Sequence, residues 1–261
     1  MKKFLLTVAA LAAITSLRSA ESEKPGYKDT PLIPGTQWHI HDSDRPQPRV
    51  VTPAKEIGKP PADAIVLFDG KDLSAWKGPK GDPKWKVEGD VVVCVPKSGD
   101  ITTKESFGDM QLHIEFATPV PPHGNSQERG NSGVFLMGQF EFQILDSYNN
   151  PTYADGGASA LYGQHPPLVN ASLPPGEWQT YDIIFTAPKI KDGKVEVPAY
   201  VTAFHNGVLV HNHDALVGPT NHRSIGKYGT ATKGPIRLQD HGNTTKYRNI
   251  WVRPLKAEDA N

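Results

Sequence analysis

Met110-Gln111-Leu112-His113-Ile114-Glu115-Phe116 alternates apolar and polar residues without a break. On an extended chain this period sends Met110, Leu112, Ile114 and Phe116 to one face, so the stretch reads as a strand with one buried side. No segment carries a convincing 3.6-residue helical period, and no internal repeat is present. With 24 glycines and 24 prolines among 261 residues, turns are favoured over long helices.

The same logic extends along the chain. Ala64 to Phe68 is a short apolar run ending at the turn Asp69-Gly70. Trp85 to Val95 reads as two strands joined at Glu88-Gly89-Asp90. Ser132 to Met137 and Gln139 to Leu145 flank Gly138, and Trp178 to Thr186 is a further strand. Val195 to Phe204 and Val208 to Val210 enclose Asn206-Gly207, a strong hairpin signal because both turn positions require positive φ. Ile236 to Gln239 and Tyr247 to Val252 close the series. About a dozen short strands separated by turns predict an all-β sandwich or jelly roll.

The ends of the chain differ from this body. Lys2-Lys3, an apolar Phe4–Ile14 run and small residues up to Ser19-Ala20 have the form of a signal peptide over residues 1–20. The apolar run is too short to span a bilayer. The expectation is therefore a secreted or periplasmic protein with no membrane insertion after cleavage. Residues 21–62 form a Pro-rich extended arm, residues 63–256 the domain and residues 257–261 a short tail. His39-Ile40-His41-Asp42 in the arm could ligate a metal but reads more simply as a polar loop. Balanced charge, 28 basic against 28 acidic side chains, argues against a nucleic-acid partner. The lone Cys94 lies in an apolar run and is expected in the core, where it has no disulfide partner.

Chemistry concentrates in Glu141-Phe142-Gln143-Ile144-Leu145-Asp146. On a strand, Glu141 and Gln143 share a face while Phe142 and Ile144 point to the core. Strict alternation would bury Asp146, and burying an unpaired carboxylate is costly. A bulge near Leu145 would return it to the face of Glu141 and Gln143. Two carboxyls flanking an amide suit acid–base chemistry, because neighbouring like charges push proton affinities apart. A long polar and aromatic loop follows, with Tyr153, Asp155, Tyr162, Gln164 and His165. Aromatic faces and amides beside a strand suit a sugar. An exposed Glu and Gln with a turn Asp is the plainer alternative.

Asn131-Ser132-Gly133-Val134-Phe135, Glu141–Asp146, Gly176-Glu177-Trp178-Gln179 and Leu238-Gln239-Asp240-His241-Gly242 with Arg248-Asn249-Ile250 together resemble the 3-keto-disaccharide hydrolase family. The opening Val66-Leu67-Phe68-Asp69-Gly70-Lys71-Asp72-Leu73 and Trp76 fit its start. The resemblance covers residues 63 to 256. It implies a concanavalin A-like jelly-roll β-sandwich and cleavage of an oxidised disaccharide or glycoside. A ketone at C3 acidifies the C2 proton; a base removes it, the enolate expels the aglycone, and water then adds. The resemblance also places Glu141 as base or acid with Asp146 as its partner, and Gln143 as a ligand for a hydroxyl or the enolate. His241 joins the catalytic set, and Asn131, Tyr162 and Gln239 are substrate contacts. Arg129 and Lys104 are candidates for steadying an enolate, and Trp178 is either a stacking platform or core. Retaining glucanases of this fold carry Glu-x-Asp-x-x-Glu, where this chain has Glu141-x-Gln143-x-x-Asp146. The alternatives are a conventional retaining glycosidase and a non-catalytic carbohydrate-binding domain.

His211 and His213 would share a strand face and could bind zinc, but no third ligand is evident; with His205, at the hairpin turn, they read as surface polar residues. No acidic cluster announces a Ca²⁺ ion, and no phosphate loop, Ser–His–Asp signature or nucleotide fingerprint is present. No cofactor is expected. The sequence says nothing of oligomeric state.

Overall fold

A computed structural model describes residues 25–256. The expected leader and tail lie outside the described residues. The chain divides into two compact units, one ending at Arg49 and one beginning at Val50.

In the first unit, prolines exclude regular strands, and only isolated bridges form, Tyr27 with Asp42 and Leu32 with His39. The Asp42 carboxylate accepts backbone N–H bonds from His39 (3.1 Å) and Asp44 (2.9 Å) and pairs with Lys28 at 2.9 Å. The His39–Asp42 run is thus a self-capped polar loop. Residues 50–62, the remainder of the expected arm, belong to the second unit. There the Gly58 carbonyl accepts Asn249 Nδ2 (2.8 Å) and Trp251 Nε1 (2.9 Å).

The strands of the second unit are, in chain order, β1 (Ile65–Phe68), β2 (Trp76–Lys77), β3 (Lys86–Glu88), β4 (Val91–Val93) and β5 (Ile101–Thr103). Next come β6 (Met110–Ala117), β7 (Ser132–Leu136), β8 (Phe140–Ile144) and β9 (Gln179–Thr186). Then follow β10 (Lys189–Lys191), β11 (Lys194–Val197), β12 (Tyr200–His205) and β13 (Val208–Ala215). The last are β14 (Thr220–Asn221), β15 (Ser224–Ile225), β16 (Arg237–Leu238) and β17 (Lys246–Pro254). The larger sheet runs β13-β12-β9-β6-β17-β4-β3, with β1 also paired to β17; the smaller runs β2-β5-β16-β7-β8. All pairings are antiparallel. The architecture is the expected β-sandwich of jelly-roll type.

The alternation of β6 is realised: Met110, Leu112, Ile114 and Phe116 are fully buried, facing Phe142 and Ile144 of β8 within one core. Burial of each such side chain stabilises the fold by roughly 1.5–3 kcal/mol. Cys94 lies in this core, and burial pushes its thiol well above the usual range, so it is inert as a nucleophile. At the β12–β13 turn, Asn206 and Gly207 both take positive φ, +50° and +78°, as the hairpin signal requires. The single strand expected over 195–204 is instead broken at Pro198-Ala199, and β11 turns back onto β10. Proline lacks the N–H that an uninterrupted ladder needs.

The histidines of this region are a correction. His205 and His211 are wholly buried rather than surface residues. His205 bonds Ser159 Oγ (2.8 Å) and Gln179 Oε1 (2.9 Å); His211 bonds Asp214 Oδ2 and the Ser159 carbonyl, both at 2.7 Å. Both hold Ser159, which fixes the loop beside β8. Burial lowers the His205 pKa to about 4.

Candidate active site

The outward face of the smaller sheet carries a cavity of about 470 Å³. Its floor comes from β7, β8 and β16: Phe135, Glu141, Gln143 and Arg237, with Gln239 beyond the end of β16. Alternation explains the selection, since Phe142 and Ile144 on β8 and Val134 on β7 point to the core. Three loops complete the walls: Gln127 and Asn131; Tyr153 and Tyr162; and the β14–β15 turn with Thr220, Asn221 and His222. His241 closes the rim.

Glu141 sits at the centre. Its partner across the ladder is Phe135, and Gly133 faces Gln143. The Glu141 side chain lies over Gly133: a Cβ there would stand 2.6 Å from Glu141 Oε1. The glycine in Asn131-Ser132-Gly133 is therefore required for space. Glu141 is 7% exposed, and burial raises its pKa to about 7. The positive charge of Arg237 opposes the rise, and the negative charge of Asp100 adds to it. The Arg237 guanidinium lies 3.5 Å over the Phe135 ring and donates to Asp100 Oδ2 at 2.5 Å. Asp100 also accepts the Asp240 N–H at 2.9 Å, tying Arg237 to the loop that carries His241.

Three amides form a connected set. Gln143 Nε2 donates to Gln127 Oε1 (3.1 Å), and Asn131 Nδ2 donates to the Gln127 carbonyl (2.7 Å). Gln143 Oε1 and Gln239 Oε1 are buried acceptors without a protein partner. Leaving a buried acceptor unpaired costs about 1–3 kcal/mol, and both acceptors belong to residues that line the cavity.

The structure brings Glu141, Gln143, Asn131, His241, Tyr162 and Gln239 together around this cavity. It places four expected residues elsewhere. Asp146 is 2% exposed and lies beyond the end of β8; no bulge returns it to Glu141. Its burial is offset by Arg129, whose Nε donates to Asp146 Oδ2 at 2.6 Å, and by the Tyr148 N–H at 3.2 Å. An ion pair, not a bulge, answers the desolvation cost. Arg129 is consumed by that pair and by the Tyr148 carbonyl. Lys104 is exposed and does not line the cavity. Trp178, half-buried, stacks under Arg248 of the larger sheet, whose guanidinium is 4.1 Å from its ring; it belongs neither to the core cluster nor to this cavity. Sequence reasoning missed Arg237, His222 and Gln127. Each comes from a separate segment, and only long-range pairing joins them. Among the described residues no group of three or more His, Cys, Asp or Glu side chains is arranged to hold a metal ion.

A β-sandwich with a polar, aromatic-walled cavity around one buried carboxylate has the form of a carbohydrate-active protein. Residues 63–253 match the 3-keto-alpha-glucoside-1,2-lyase-like domain, and the chain belongs to that family. A 3-keto-disaccharide hydrolase of Bacteroides thetaiotaomicron is 23% identical over 233 residues, covering 75% of this chain and 80% of the relative. A crystal structure of a "putative glycosyl hydrolase" from Parabacteroides distasonis is 44% identical with a TM-score of 0.79; the match covers 86% of this chain and all of that one. A second protein of that organism, with the same name, is 22% identical with a TM-score of 0.56 and shares the fold. The family's name is that of a glucoside lyase and the relatives' names are those of sugar hydrolases, so all of them concern carbohydrate.

Proposed function

We propose that the protein, exported from the cell, cleaves the glycosidic bond of 3-keto-glycosides by elimination, with Glu141 as the base. The observation that carries this reading is that Glu141 is the single carboxylate among the residues lining the cavity. Direct glycoside hydrolysis uses two carboxyls flanking the bond, about 5–5.5 Å apart in retaining enzymes. The second carboxylate of the motif, Asp146, is locked to Arg129. One base suffices when a ketone at C3 acidifies the C2 proton. A carboxylate whose pKa is near 7 is a stronger base than an ordinary one and is half ionised at neutral pH.

In this reading the Glu141 carboxylate takes the proton from C2, and the electron pair moves towards the C3 oxygen. Arg237, the lining residue with a permanent positive charge, steadies that oxygen. Gln143 Oε1 and Gln239 Oε1 accept sugar hydroxyls, which fixes the ring over Glu141. The enolate then expels the C1 substituent, and addition of water to the resulting enone completes a net hydrolysis.

The test compares a 3-keto-disaccharide with its unoxidised parent. The expected result is cleavage of the oxidised sugar alone, falling at least about 10²-fold in Glu141→Gln. Cleavage of both sugars at similar rates would support direct hydrolysis instead, and sugar binding without turnover of either would support a carbohydrate-binding domain.

A further inference from the structure

Resting on the elimination reading, we infer that Tyr162 is the general acid that protonates the departing glycosidic oxygen. The observation is the pairing of an unexpected strand-like segment with β8. Phe142 and Leu161 form an antiparallel bridge; Tyr162 N–H donates to the Glu141 carbonyl (3.1 Å) and Gln143 N–H to the Ala160 carbonyl (2.9 Å). Tyr162 therefore stands directly opposite Glu141. Residues opposite each other in an antiparallel pair project to the same face, with Cβ atoms about 4.5–5.5 Å apart. Phe142 and Leu161 both enter the core, so Glu141 and Tyr162 both face the cavity. Base and hydroxyl are thus neighbours across one sugar-sized space.

The hydroxyl is also supported. Tyr162 OH lies 2.6 Å from Tyr153 OH and 3.3 Å from His222 Nδ1, and the His222 ring stacks on Tyr162 at 27° between planes. Once the proton has left, Tyr153 O–H and, in the tautomer protonated there, His222 Nδ1–H are placed to donate to the Tyr162 oxygen. Burial, and then the hydrogen bond to Tyr153, raise the Tyr162 pKa above that of an ordinary phenol, so the hydroxyl keeps its proton across the neutral range.

The step balances. Glu141 takes the C2 proton and forms the enolate. As the enolate collapses, the C1–O bond breaks and the aglycone oxygen takes the Tyr162 proton, leaving the sugar as a 1,2-enone. Water then adds at C1, its proton returns to the Tyr162 phenolate, and Glu141, its carboxyl proton having exchanged with solvent, delivers a proton to C2.

An acid matters most for a poor leaving group, and this gives the experiment. Tyr162→Phe is assayed on two 3-keto-glucosides, one with an alkyl aglycone and one with 4-nitrophenol. General acid catalysis contributes about 10²–10⁴-fold. The expected loss is about 100-fold or more in kcat for the alkyl glycoside and under about 10-fold for the nitrophenyl glycoside, with solvent exchange at C2 retained. Equal losses on both substrates, or no loss on either, would overturn the inference. Tyr153→Phe, at an exposed position, should give a smaller loss with the same leaving-group bias, and it carries the test should Tyr162→Phe fold poorly. If the wild type cleaves neither compound, the elimination reading fails and this assignment with it; if the wild type cleaves both and only the leaving-group bias is missing, the acid assignment alone fails.

Discussion

Glu141 carries opposing demands of stability and chemistry. Its pKa is raised to about 7 from the ordinary carboxylate value, so the folded state holds the proton more tightly than the unfolded one. The stabilisation this gives is complete below the unfolded pKa, near 4.5, and is lost as pH rises to about 7. At pH 8 the folded protein therefore carries a destabilising buried charge. Glu141→Gln should raise the melting temperature at pH 8 and leave it nearly unchanged at pH 4.5, by up to about 3 kcal/mol of stability; equal shifts at the two pH values would contradict the assigned burial. Activity should follow the opposite sense, with kcat/KM rising as pH increases through about 7, because the base acts as the carboxylate. A flat profile between pH 5 and 8 would count against Glu141 as base. Gly133→Ala tests the same residue from beneath. The added methyl meets Glu141 Oε1, so turnover should fall at least about tenfold while the sheet survives.

His205 gives the contrary pH dependence. Its pKa falls to about 4 on burial, so its neutral form is favoured in the fold. The associated stability is complete above the unfolded value of 6.5 and is lost as pH falls through about 4. Thermal melts of His205→Asn between pH 7 and pH 4 should show a weaker decline towards acid than the wild type, from a lower starting stability.

At the scale of elements, β8 joins core and site. Phe142 is fully buried, stacking edge-on to Tyr181 at 4.8 Å, while Glu141 and Gln143 on either side face the cavity. Phe142→Ala should cost about 3–5 kcal/mol, read by denaturant unfolding. That strand was legible in the sequence because alternation is a local signal, and the same holds for β6 and the Asn206-Gly207 hairpin. The fate of Asp146 was not. Alternation correctly buried it, but the compensating cation, Arg129, is 17 residues away, and nothing local favours an ion pair over a bulge. The sequence marked Tyr162 as a candidate sugar contact but not as the cross-strand neighbour of Glu141, since its segment carries no strand pattern. Its register comes from Ser159, held by His205, His211 and Tyr181. Strands of two residues, such as β14 that leads to His222 and β16 that carries Arg237, are too short to show a period.

At the scale of the whole molecule, the sandwich puts an apolar core between two sheets and leaves the smaller sheet's outer face for chemistry. The larger sheet's outer face is partly sealed by residues 50–62 through the Gly58 carbonyl. A chain beginning at Val50 should therefore melt as one cooperative unit, whereas one beginning at Asp63 should melt lower, with Trp251 more exposed to a fluorescence quencher. The family resemblance was legible over residues 63–256, in close agreement with the matched 63–253, because its motifs sit on strands that build the core and cavity floor. The central claim is that one carboxylate cleaves the bond by removing the proton at C2. Its most direct test is to let the enzyme cleave a 3-keto-disaccharide in deuterium oxide and examine C2 of the oxidised sugar by NMR. Elimination predicts a deuteron at C2 of the hydrolysed product, or an enone with no C2 hydrogen; a product that keeps its original C2 proton would contradict it.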